Sequence, residues 1–168
     1  MGNPLPDPVP DGEPTLVIGL GNPLMGDDGI GLVVLEQLAA QTFAPPVEFV
    51  DGGTWGLALL PDVERAGALL LLDAVHGSGE PGTVYVLEAQ DIPRFLAAKV
   101  SPHQVDVREL LALAELRGAL PSELRVVGVE PATVDYGDGL SPAVSAAIER
   151  MVSAAYGVLA GWGHTCAG

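Results

Sequence analysis

Apolar runs of strand length alternate with helical patterns along most of this chain, and that alternation constrains the fold more than any other feature. Residues 15–21 (TLVIGLG) read as a buried strand, and residues 29–43 read as a helix that is apolar almost all round. A short strand over 47–51, a helix over 55–66 and the run ALLLLD over 68–73 follow. Residues 83–88 (TVYVLE) alternate as a strand, after a turn-rich segment. A helix over 104–118 carries Val107, Leu110, Leu111 and Ala114 on one face, and 124–130 (LRVVGVE) is another strand. In the last helix Ser141 can cap and Pro142 suits the first turn. Val144, Ala147, Ile148, Met151, Val152, Ala155 and Leu159 then fall on one stripe. The pattern predicts an α/β protein: a three-layer, doubly wound, mostly parallel sheet with helices on both faces. One domain is expected over 14–163, between a disordered Pro-rich lead-in, 1–13, and a tail, 164–168.

The charge narrows the partners. Twenty-two acidic residues face seven basic ones, and no Lys or Arg precedes Arg65. Nucleic acid and anionic membranes are poor partners for such a surface, and metal cations or a basic protein surface are better ones. Much of the excess acid serves solubility. Residues 14–26 and 151–163, which carry no charged side chain, are too short to span a bilayer. With one cysteine, Cys166, no internal disulfide or thiolate zinc site is expected, which fits a soluble cytoplasmic protein.

Three residues are candidates for chemistry. The segment Gly19-Leu20-Gly21-Asn22-Pro23-Leu24-Met25-Gly26-Asp27-Asp28-Gly29-Ile30-Gly31 joins a strand to a helix, where a nucleotide loop would also sit. It has no Lys to grip a phosphate and carries two carboxylates that repel one, so it suits a cation. Asp27 has an ordinary explanation as a helix N-cap, which leaves Asp28 for the cleft. Asp73 is delivered by four leucines to the carboxyl edge of the sheet, either as a ligating group or as a brace for the turn Ala74-Val75-His76-Gly77. His103 follows Ser101 and Pro102 in a helical first turn, where the dipole keeps the ring neutral and able to bind a metal. The alternative for His103 is an ordinary surface or partner-bonded histidine. His76 lies close enough in sequence to Asp73 to support it, and His164 lies in the tail. Together Asp28, Asp73 and His103 form an oxygen and nitrogen set suited to Ni²⁺, Zn²⁺ or Mn²⁺.

These stretches resemble the hydrogenase maturation endopeptidases, which process the large subunits of [NiFe]-hydrogenases. The resemblance rests on Gly19-Leu20-Gly21-Asn22, Asp27-Asp28-Gly29, Asp51-Gly52-Gly53-Thr54 and Leu72-Asp73-Ala74. It continues through Ser101-Pro102-His103-Gln104, Val127-Gly128-Val129-Glu130-Pro131 and Gly139-Leu140-Ser141-Pro142, in family order. It implies that Asp28, Asp73 and His103 are the catalytic and metal-binding trio. It also implies that the trio senses nickel already inserted in the large-subunit precursor. The precursor then loses its C-terminal extension. Nickel comes with this substrate, and no tightly bound cofactor of the enzyme's own is expected. One departure is Asp106, three residues after the histidine, where relatives often carry Gly. It bears on the local backbone and the choice of precursor.

Amide hydrolysis needs an activated water and a polarised carbonyl. A metal with open positions supplies both, or a carboxylate pair can share a proton as in an aspartyl protease. The chain has no GxSxG elbow, no HExxH and no reactive-cysteine context. Two rivals carry different expectations. A non-catalytic nickel-binding assembly factor would bind the loaded precursor without cutting it. A nucleotide-binding enzyme using the loop over 19–31 would bind ATP or NAD.

Overall fold

The computed structural model describes residue 9 and residues 12–92, 102–137 and 139–167, with backbone alone at 102–106. Most of the lead-in expected over 1–13 lies outside the described residues. Val9, which is described, packs against the core.

Seven strands and five α-helices are described: β1 Thr15–Leu20, α1 Ile30–Ala39, β2 Thr42–Ala44, β3 Glu48–Gly53, α2 Leu60–Arg65, β4 Ala68–Ala74, β5 Val84–Glu88, α3 Pro102–Leu116, β6 Glu123–Val129, α4 Pro142–Ser145, α5 Ile148–Gly161 and β7 Thr165–Ala167. The main sheet has the order β3-β1-β4-β6-β5. Its first four strands are parallel and β5 runs antiparallel at the edge. The expected doubly wound, mostly parallel sheet is what the chain forms.

The leucines of β4 explain why. Leu69 and Leu71 face one core, and Leu70 and Leu72 face the other. A strand apolar on both faces needs helices on both faces. On one side α2 and α3 supply Val63, Val107, Leu110, Leu111 and Ala114. On the other, α1 and α5 supply Ile30, Val34, Leu38, Met151, Ala155 and Leu159. Each leucine buried so fully contributes roughly 1.5–3 kcal/mol relative to exposure. Among the described residues, no helix is long and apolar enough to cross a membrane.

Three local expectations change. The helix expected over 29–43 ends at Ala39, and Thr42–Ala44 becomes a strand. Pro45 and Pro46 follow, and the residue before a proline is driven toward extended backbone. The tail expected over 164–168 contributes β7, which pairs antiparallel with β2. His164 is buried beside it, its ring nitrogens 2.8 Å from Pro45 O and 2.8 Å from Thr15 Oγ1. Alternation too short to register in sequence is completed here by pairing between distant parts of the chain. The last helix also divides, into α4 capped by Ser141 and a longer α5.

One close approach sets the edge where α1 meets the sheet. Gly31 lies against the backbone oxygens of Leu20 and Leu72, so a Cβ there would strike both strands. Gly31→Ala is therefore expected to destabilise the fold by at least about 2 kcal/mol, in the range of overpacked cores. Urea unfolding measures it, and a loss below about 0.5 kcal/mol would refute the contact.

Candidate active site at the carboxyl edge of the sheet

Four carboxylates are buried where the parallel strands end: Asp27, Asp28, Asp73 and Glu130. Charged side chains are seldom buried so fully without partners. The partners of each reveal different tasks.

Asp28 is placed by the turn after β1. Gly21 has φ 122°, and a Cβ there would strike Asp28 O. Glycine lets the chain fold back so that Asp28 Oδ2 accepts a hydrogen bond from Asn22 N at 2.9 Å. The Gly21 amide donates to Gly53 O at 2.9 Å, which ties this turn to the end of β3. Asp73 is the sixth residue of β4, next to β1 in the sheet, and its Oδ1 accepts from Ala74 N at 2.8 Å. Both readings of Asp73 made from sequence fit this position: it braces the strand end and stands at the carboxyl edge. The short helical turn Gly26–Gly29, which carries Asp28, packs against β4. Asp28 and Asp73 are thus delivered to one region by adjacent parallel strands.

His103 is the second residue of α3. Its side chain, like that of Asp106, lies outside the described residues. Among the described residues, no three His, Cys, Asp or Glu side chains form a metal-holding group.

Asp27 is not the N-cap expected for it. It lies inside the turn Gly26–Gly29, which has no side-chain cap. Its Oδ2 accepts from Ala132 N at 2.8 Å, Thr133 N at 3.1 Å and Ser141 Oγ at 2.9 Å, and Oδ1 accepts from Ser141 N at 2.7 Å. One carboxylate thereby fastens the loop after β6 to the turn after β1. In the sheet β4 lies between those two strands, so this tie crosses the strand end that carries Asp73. A contact more than 100 residues away in sequence leaves no local signal, which is why helix-cap reasoning missed it.

Glu130 was legible only as part of a motif. Its carboxylate accepts from Gly77 N at 2.6 Å and Tyr85 Oη at 2.9 Å, and lies 3.3 Å from His76 Nδ1. His76 therefore pairs with Glu130, not with Asp73, and the pair anchors the loop that follows Asp73. Burial, reinforced by the bond to Glu130, holds the Tyr85 phenol protonated above its usual range.

The loops along this edge, residues 21–29, 53–57, 75–83 and 130–141, contain no Lys or Arg. Arg150 reaches in from α5 to donate to Gly82 O at 3.1 Å. Among the described residues, a cation arriving at this edge meets carboxylates and few competing charges.

The comparisons with known proteins agree with one another. A family model described as hydrogenase maturation protease matches residues 32–158. The hydrogenase expression/formation protein HupD of Rhodobacter capsulatus is 41% identical over 155 residues, covering 90% of this chain and 73% of that protein. The hydrogenase 2 maturation protease of Escherichia coli is 38% identical over 136 residues, covering 80% and 83%. The solved structure of the hydrogenase maturating endopeptidase HybD from Escherichia coli superimposes with a TM-score of 0.85 at 34% identity, covering 91% of this chain and 96% of that one.

Proposed function

Because the chain belongs to the hydrogenase maturation protease family, we propose that it removes the C-terminal extension of a nickel-loaded [NiFe]-hydrogenase large-subunit precursor. It is a protease, and the non-catalytic and nucleotide-binding alternatives have no support among its relatives. The observation that carries the finer reading is the delivery of two buried carboxylates, Asp28 and Asp73, to one region by neighbouring strands.

In this reading Asp28, Asp73 and His103 recognise the nickel carried by the substrate. Carboxylate oxygens and an imidazole nitrogen suit a borderline divalent ion, and three such ligands without thiolate favour modest affinity. Nickel in the precursor would polarise a nearby carbonyl or activate a water. The chain's own contribution is positional. Asn22 N orients the Asp28 carboxylate, Ala74 N orients that of Asp73, and Glu130 holds the following loop in place. Where a carboxylate takes up a proton from the attacking water, it acts as a general base.

The test is single-turnover cleavage of nickel-loaded and metal-free precursor, followed by mass spectrometry. Nickel-loaded precursor is cut and metal-free precursor is not, and His103→Ala loses most of the discrimination. Equal cleavage of both forms by the unmodified protein would remove nickel as the recognition element.

A further inference from the structure

Leu24 and Tyr136 are 53% and 81% exposed, on loops that leave different strands of the sheet at the same edge as Asp28 and Asp73. The chain brings these two loops together. Gly137 N donates to Leu24 O at 3.0 Å, Gly26 N donates to Gly137 O at 3.3 Å, and Met25 and Gly137 form a parallel bridge. The Asp27 carboxylate adds its four bonds to Ala132, Thr133 and Ser141, and Asp27 N donates to Thr133 O at 2.9 Å. Exposed apolar side chains on loops are ordinary when scattered singly. Here two of them are carried on segments joined by a hydrogen-bonded tie that is anchored on the buried Asp27 carboxylate and continuous with the turn that bears Asp28.

We propose that Leu24 and Tyr136 form a preorganised docking platform for the precursor polypeptide, taking an apolar side chain of a segment that also carries Lys or Arg. The cationic half follows from charge complementarity. Among the described residues, the two loops contain Asp27, Asp28 and Asp135 and no basic residue. The apolar half follows from the two side chains themselves, and the rigid tie lowers the ordering cost of binding. The proposal rests on the protease reading for the identity of the partner, and its test separates the two.

Leu24→Ala, Tyr136→Ala and the double variant are compared with the unmodified protein. Leu116→Ala serves as control, because Leu116 is 84% exposed at the far end of α3. Unfolding midpoints first establish that all are folded. For nickel-loaded precursor, each platform variant raises KM about tenfold, with kcat within about twofold, as expected when ground state and transition state lose the same contact. Leu116→Ala leaves both unchanged. Precursor binding, measured by interferometry, weakens in parallel and weakens further with added salt. If the unmodified protein binds the precursor but does not cut it, the protease reading fails while the platform is still judged by binding. Equal binding by all variants, a similar loss in Leu116→Ala, or no binding by the unmodified protein overturns the platform. Binding indifferent to salt or strengthened by it overturns the cationic half.

Discussion

Asp28→Asn and Asp73→Asn each lower single-turnover cleavage of nickel-loaded precursor by about 100-fold or more, within the range for loss of a positioned acid or base. Both substitutions preserve size, and each amide keeps an oxygen that can accept the bond from Asn22 N or Ala74 N. The fold should therefore survive, and what is removed is a negative charge at the site. A cation facing either position loses a charged oxygen ligand, and a water loses a proton acceptor. The same two variants should unfold within about 1 kcal/mol of the unmodified protein, since each keeps an acceptor for the bond from Asn22 N or Ala74 N. Full cleavage by Asp28→Asn would take Asp28 out of the site, and full cleavage by Asp73→Asn would reduce Asp73 to a brace for the strand end.

Asp27 is expected to behave in the opposite way, through stability. Asp27→Ala removes the acceptor of four part-buried bonds from Ala132, Thr133 and Ser141. Bonds to a charged acceptor contribute roughly 1.5–3 kcal/mol each but do not add, so a total loss of about 3 kcal/mol or more is expected. Asp27→Asn retains one acceptor and turns an NH₂ toward N–H donors, so it should cost about 2 kcal/mol. A simple helix cap would tolerate Asn almost freely. Urea unfolding decides between the two accounts: a shifted midpoint with unchanged slope shows the lost tie. A change under about 0.5 kcal/mol in Asp27→Ala would show that the carboxylate does not hold the loop.

The contrast between the neighbouring aspartates shows where sequence reasoning reached its limit. Asp28 and Asp73 could be singled out because each follows a strand-like apolar run, and strand ends are where α/β sheets place reactive groups. Asp27 precedes a helix, so a cap was the local explanation, and its true partners lie in a loop after β6. The pairing of His76 with Glu130 was hidden for the same reason. His76 is near Asp73 along the chain, whereas the carboxylate it meets is 54 residues away.

The sequence by itself determined the class of fold, because residues apolar on both faces of β4 require helices above and below a parallel sheet. It also determined the family, through motifs in order along the chain, and the absence of a phosphate-gripping lysine in the glycine turn. Only the tertiary structure decided that Thr42–Ala44 and Thr165–Ala167 are strands, since each is too short to form without the other. Only it decided that Asp27 ties two loops across the end of β4, and that Leu24 and Tyr136 stand on neighbouring parts of that tie. The physical reason is the same in each case. Periodicity and capping act within a few residues, whereas a buried carboxylate is satisfied by whichever donors the packed strands bring to it.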